Sequence, residues 1–460
     1  MKIVSSYKIK INKYRDAFTA TVDIYRKAIT FFIDVINAEW DNGFSGITEQ
    51  NGCIIVAERT THATKSHPKI KYNFDKEFYK FPSYLRRSAI TAAYGIVQGY
   101  KSLHQNWVNA GIKGAEPRLQ RHHELMPVMY LDNMFKGSCF EKTGYLKIYQ
   151  NNDWVWLNVE FRKQDVKYFI NNYSEVKKIS APTLERHHGV YYLRYTTTEY
   201  TDINKTELSK QKILAVDLGI NHDAVCSVVN SKGTVLVRSF IDLPKEKDHL
   251  YHKLNKLKGF QCKNGSHNSQ KQWNFVNYVN DEISRKTANE IVDTAIMNNV
   301  NIIVMEHLDI KGKKHGSKAQ RLSLWKKRAI ANIVEHGAHR HGIRFSTVNP
   351  RNTSNLAYDG SGKIQRDKNN QSLCTFKSGK KYCTDLSASY NIGARYFIGE
   401  ILKSLPVKAR SQVLAKVPVL TQRTNCTLSS LISLAKCDEC SALFAPRPIL
   451  YPKQEVPQVV

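Results

Sequence analysis

The sequence predicts a multidomain α/β protein, and three observations predict it. Its 460 residues are too many for one typical core. Its hydrophobic share of 42% is enough for folded domains rather than a disordered chain. Strand-like and helix-like stretches alternate throughout its second half, as layered α/β domains require.

The chain opens on a short alternating segment, Ile3 to Ile11, which reads as a strand. From about Asp16 to Trp40 the pattern turns helical, with Phe18, Val22, Tyr25, Ile29 and Ile33 at steps of three and four. A second helical stretch, Ser83 to about Trp107, carries Arg86, Arg87, Tyr94, Tyr100 and Lys101. Basic and aromatic residues suit either a solvated face or the wall of a nucleic-acid channel. From Tyr145 to Tyr200 the segments LKIYQ, WVWLNVEF and VYYLRYTTTEY are rich in β-branched and aromatic residues and read as strands. With the opening strand they predict a small β domain interrupted by a helical region.

The part from Ile213 onward is the most informative. ILAVDLGI, VCSVV and TVLVRSF are three strands joined by short turns, a meander. A long helix follows, with Val276, Val279, Ile283, Ile291, Val292 and Ala295 on its stripe. NIIVMEHL is a fourth strand, reached through a helix and so expected to run parallel to a neighbour. A basic helix from about Arg321 to His341 leads to a fifth strand, RFSTVN, and DLSASYNIGARYFIGEIL is a helix opening near Asp385. The order β-β-β-α-β-α-β-α is that of the RNase H fold. A Gly/Asn/Lys-rich insertion fills 349–384, and a weak helical pattern beyond Ser404 runs into a Pro-rich end.

This order brings three carboxylates together. Asp217 lies inside an apolar strand, Glu306 closes the strand expected beside it, and Asp385 approaches from the facing helix. Lone buried carboxylates are strongly desolvated, and convergent ones repel, so the site calls for divalent cations. Oxygen donors suit Mg²⁺, with Mn²⁺ as a substitute, and two such ions suit phosphodiester hydrolysis. Asp217, Glu306 and Asp385 are therefore the candidate catalytic residues and metal ligands. Asp223, Asp309 and Asp359 are set aside as turn or loop acids.

Composition points to the substrate. Lys and Arg number 69 against 40 acids, a formal net charge of +29. A protein lying along phosphates gains from that imbalance through counterion release. Between 245 and 330 there are 17 Lys and Arg against 8 Asp and Glu. Candidate nucleic-acid contacts are Arg86, Arg87, Lys326, Lys327, Arg328 and Arg351. No run approaches the ~18 apolar residues of a spanning helix, and the opening residues lack a signal-peptide core. No membrane partner and a cytoplasmic location are expected. Nine irregularly spaced cysteines read as reduced intracellular thiols.

AVDLGIN, IVMEHLDIKG, NPRNTS and DLSASYNIGAR carry a family resemblance, with FPSYLRRSAI and WVWLNVEF upstream. On these segments the chain resembles the TnpB proteins of bacterial insertion sequences and their relatives, the small type V CRISPR effectors. The resemblance implies RNA-guided DNA cleavage at one RuvC-like site, with a guide RNA and target double-stranded DNA as partners. Asp217, Glu306 and Asp385 match the family's catalytic acids. The implied layout is a wedge β domain (1–12 and 140–210) interrupted by a helical recognition domain (13–139). A RuvC-like nuclease domain follows (211–348 and 385–404), with a nucleic-acid-binding insertion at 349–384 and a tail at 405–460. Family members often carry a four-cysteine zinc ribbon in that insertion. Here only Cys374 and Cys383 remain, so zinc is disfavoured there, since a structural zinc usually takes four ligands. Cys437 and Cys440 offer a further pair. The alternatives are an RNA-guided DNA-binding repressor without cleavage and a transposase acting without guide RNA.

Overall fold

The structure is a computed structural model. It describes residues 1–13, 16–49, 51–65, 67–176, 178–187, 189–203, 205–219, 222–265, 269–307, 325–367 and 370–440. Asp309, the start of the expected basic helix at Arg321 and the Pro-rich end lie outside these residues. The chain divides into two compact units, Lys2–Tyr200 and the rest from Thr201 onward together with Met1.

In the first unit, β1 (Lys2–Asn12) runs antiparallel to β7 (Val190–Tyr200), and its end pairs with β4 (Asp153–Phe161). The sheet continues through β3 (Thr143–Gln150) to β2 (Phe135–Lys136), with β5 (Lys178–Ile179) and β6 (Thr183–His187) on β7. Four helices, α1 (Thr19–Ala38), α2 (Gly52–Thr61), α3 (Phe74–Glu77) and α4 (Ser83–Asn109), fall between β1 and β2. The helical repeat seen in the sequence buries Val22, Tyr25, Ile29 and Ile33 of α1. α4 answers with Leu85, Ala89, Ile90, Ala93 and Val97. These side chains and the inward residues of the sheet form one apolar cluster. The expected division between helical and β domains therefore leaves no gap in this core. α5 (Lys163–Tyr173), between β4 and β5, has no counterpart among the sequence expectations.

The second unit is built on a five-stranded sheet in the order β10-β9-β8-β11-β12. β8 (Lys212–Leu218), β9 (Ala224–Asn230) and β10 (Val235–Ile241) form the expected antiparallel meander. The hairpin helices α6 (Pro244–Asn264) and α7 (Gln270–Met297) lead to β11 (Ile302–Glu306), which is parallel to β8 as expected. α8 (Lys327–Arg340) then leads to β12 (Arg344–Val348), parallel to β11. The insertion forms a three-stranded sheet, β13 (Gln365–Arg366), β14 (Leu373–Thr375) and β15 (Lys381–Cys383). α9 (Thr384–Ser404) covers one face of the main sheet, while α7 and α8 cover the other. The tail contributes α10 (Val407–Lys416) and α11 (Leu428–Ala435), whose Val413, Leu428, Leu431 and Leu434 join the α9 core. Among the described residues no helix is long and apolar enough to cross a membrane.

Candidate active site

Asp217 owes its position to the alternation of a β-strand. Along β8, Ile213 and Ala215 enter the α9 core, and Leu214, Val216 and Leu218 the opposite one. The period of two turns Asp217 toward α9. β11 repeats the pattern, with Ile302 and Val304 on the α9 side and Ile303 and Met305 opposite, so Glu306 also faces α9. The last registered pair is Met305 with Val216, and one further step sets Glu306 alongside Asp217. Asp385 lies in the first turn of α9, where the helix end favours a negative charge. Gly393 lets that helix sit close: a Cβ there would lie 3.3 Å from the Ala215 Cβ and from a Val229 methyl.

The three acids from distant segments thus share one face and one end of the sheet, and their electrostatics reflect it. Burial pushes the Asp217 carboxyl well above the usual carboxylate range, and Glu306 and Asp385 push it the same way, against a pull from Arg366. Burial raises Glu306, opposed by its bond from Thr353 and by Arg395. Burial raises Asp385, opposed by His222 and Arg366. Among the described residues no group of three or more His, Cys, Asp and Glu side chains is gathered tightly enough to hold a metal ion as it stands. The chemistry of the donor set nevertheless fits one: hard oxygens, desolvated and mutually repulsive, are what a divalent cation neutralises. The cysteines have other surroundings. Cys374 is buried with Ala357 and Phe376, and its thiol donates to the Tyr382 carbonyl at 3.3 Å. Cys440 is buried in the α9 core.

Three residues not singled out in the sequence complete the site. Thr353, 1% exposed, donates its hydroxyl proton to Glu306 Oε1, with the Pro350 carbonyl 2.8 Å away as the competing acceptor. Asn391 of α9 donates to the carbonyls of Thr353 (3.0 Å) and Leu356 (2.9 Å) and accepts from the Leu428 amide. One turn on, buried Arg395 donates to the carbonyls of Asn349, Arg351, Thr424 and Cys426. All three lie in the segments NPRNTS and NIGAR, which was the available signal. Thr353→Val should cut the rate of Mg²⁺-dependent cleavage and weaken metal binding roughly 10- to 100-fold, the usual cost of losing a group that orients a ligand. Thr353→Ser should restore both. An unchanged Mg²⁺ titration in the valine variant would remove Thr353 from the site.

The predicted basic residues have varied surroundings. Arg86 is a correction: it is buried, bonded to Glu58 (3.2 Å) with His62 Nδ1 at 3.4 Å, so its charge holds helices together instead of lining a surface. A buried guanidinium needs such partners. Arg87, half exposed, bonds the same Glu58 and lies over Tyr84. Lys326 pairs with Asp281. Lys327 and Arg328 line a cavity of about 410 Å³ with Glu306, His307, Asn332 and Glu335. The Arg351 side chain is exposed, and its carbonyl accepts from Arg395. Arg366, exposed on β13 and bonded to the Ser354 carbonyl, is a further cation beside the acids. Asp223 is held by Lys247 and the Leu243 amide, and Asp359 by the Ser361 amide and the Ser378 hydroxyl.

A family model described as the Aq_aa04 family matches residues 5–150. No curated protein matches the chain in sequence. Among solved structures, the chain is similar to a Cas12f1–sgRNA–target DNA complex, with 14% identity and a TM-score of 0.49. That match covers 85% of this chain and 98% of the other. It is also similar to CasPhi-2 (Cas12j) bound to crRNA and phosphorothioate-DNA, with 9% identity and a TM-score of 0.41, covering 86% and 91%. A third is C2c1 of Alicyclobacillus acidoterrestris with single-guide RNA, at 10% identity and a TM-score of 0.38, covering 82% and 70%.

Proposed function

We propose that this chain is an RNA-guided DNA endonuclease that hydrolyses phosphodiester bonds at one RuvC-like site in an RNase H-type domain. The observation that carries the nuclease reading is the convergence of Asp217, Glu306 and Asp385 on one sheet face, where each resists ionisation. Asp217, Glu306 and Asp385 would hold Mg²⁺. When bound, divalent cations supply the charge stabilisation and water activation that phosphodiester hydrolysis needs. Thr353 orients the Glu306 carboxylate. Arg366 is placed to meet a phosphate, and Lys327 and Arg328 line the cavity beside Glu306. The guide RNA and the double-stranded DNA target come from the family segments quoted above, and the net charge of +29 suits a backbone-held RNA–DNA duplex.

The test is to sequence the RNA that copurifies with the protein and then offer a plasmid carrying the complementary site. Cleavage that needs both the matching RNA and Mg²⁺, and stops with chelator, is expected. RNA-dependent binding without cleavage would make the chain a repressor. Cleavage or strand transfer independent of RNA would make it a transposase.

A further inference from the structure

The hairpin of β8 and β9 turns at the acid end of the second unit's sheet. Asp217 pairs with Val225, and Val225 pairs in turn with Phe240 of β10. Directly paired residues present their side chains on one face, and Val225 belongs to the α9 core. Asp217, Val225 and Phe240 therefore form a row across the face that α9 covers. His222, in the turn just before β9, packs its ring against Phe240, with ring centres 5.4 Å apart and planes at 67°. The imidazole thus joins the acids on their own face and end of the sheet. Its charge is felt at Asp385, whose carboxyl it pulls down against the effect of burial.

The two ring nitrogens have different surroundings. Nδ1 is closed to water and has no hydrogen-bond partner among the described residues. Asp242 Oδ2 lies 3.7 Å from it, an ion-pair distance beyond hydrogen-bond length. Lys247 holds the other Asp242 oxygen at 2.5 Å and Asp223 at 3.0 Å. The charged groups that bear on the ring are thus Asp242, with Lys247 bonded to it, and Asp385. The side chain keeps 32% of its surface open, and with Nδ1 shut off the nitrogen left for a partner is Nε2. A histidine that merely fills a turn would satisfy a buried nitrogen on nearby backbone. A carboxylate behind Nδ1, with Nε2 available, is the arrangement in which an imidazole passes protons. Such contacts are often long until substrate arrives.

We propose that His222 is the general acid of the cleavage step, its imidazolium giving the Nε2 proton to the bridging oxygen that leaves. The proposal rests on the nuclease reading above and adds a proton source to it, since acids that hold a cation are ionised and have no proton to give. Water forms the new bond to phosphorus as the bond from phosphorus to the bridging oxygen breaks. The bonding pair stays on that oxygen, and the Nε2 proton joins it to make a hydroxyl. The incoming water loses one proton to solvent, and the ring takes one back from solvent. Asp242 is a positioning residue that holds the Nδ1 edge.

The test uses the full-length protein with its copurified RNA and a matching DNA duplex, cut under single-turnover conditions. His222→Ala should slow cleavage about 10²- to 10⁴-fold, the usual contribution of a general acid. A second duplex carries sulfur in place of the bridging oxygen that the wild type releases. A thiolate leaves without a proton because thiols are far stronger acids than alcohols, so the variant should cut this duplex at near wild-type rate. The wild-type rate on the ordinary duplex should turn over and fall as pH rises, and the variant should lack that fall. His222→Gln, which keeps a donor but has no proton to release, should be as slow as alanine. In chelator, wild type and His222→Ala should bind the duplex equally tightly. An unchanged rate in His222→Ala, an equal loss on the sulfur duplex, recovery by glutamine, or weaker binding by the variant in chelator overturns the proton role and leaves the nuclease reading standing. A wild-type protein that cuts neither duplex overturns both.

Discussion

Asp217→Asn abolishes cleavage and, in metal-free protein, raises the melting temperature of the nuclease unit. Under the proposed function, the first effect follows from the loss of a carboxylate that would hold the cation. Several kcal/mol of transition-state stabilisation come from a bound cation, so the rate should fall on the order of 10³-fold or more. DNA and RNA binding should persist, since the substitution removes no phosphate contact. The second effect follows from burial. The Asp217 carboxyl is raised well above its ordinary value by desolvation, then by Glu306 and Asp385. A carboxyl raised on folding contributes stability that is fully present below its unfolded pKa of about 3.9 and is lost as pH rises through the folded value. At neutral pH the wild-type charge is therefore a burden, which asparagine lacks. Metal-free wild-type protein should melt at lower temperature as pH rises above the acid range, and the variant should show a shallower slope. Mg²⁺ should raise the wild-type melting temperature and leave the variant near its metal-free value. A variant that cuts at near-normal rate would sink the assignment of the acid.

Arg395→Met unfastens the second unit. The guanidinium is buried and bonds four carbonyls from two segments, 349–351 and 424–426. Methionine keeps the length and leaves those carbonyls without their donor, at ~1–3 kcal/mol for each one left buried. A loss of about 4 kcal/mol corresponds to a fall of roughly 10 °C for a unit of this size. Hydrogen exchange should quicken in 349–356 and 424–428 before the rest of the sheet. Cleavage should fall with it, because Thr353 hangs on the same loop. Arg395→Lys should recover little, since one ammonium cannot span both pairs of carbonyls. An unchanged melting temperature in the methionine variant would show that water replaces the guanidinium at no cost.

The sequence exposed what is local and hid what is not. β8, β9 and β11 were legible because buried strands are continuous β-branched runs, and α9 because its apolar pattern starts sharply at Asp385. The acids were legible because a carboxylate inside such a run is chemically out of place. Thr353, Asn391 and Arg395 were not, because their partners lie about 30 to 50 positions away and leave no periodic mark. Arg86 was misjudged for the same reason: nothing near it in sequence announces Glu58, 28 positions earlier. The tail looked weak because α11 needs only Leu428, Leu431 and Leu434 to seal itself on α9.

The placement of the acids also has a consequence for biosynthesis. Ribosomes deliver residues in order, so Asp217 and Glu306 emerge well before Asp385. Side chains on a strand alternate, so a one-residue slip of β8 would exchange Asp217 for its apolar neighbours. A nascent or misregistered chain accordingly carries an incomplete set of carboxylates. The acid cluster is therefore completed last, when α9 docks on the sheet.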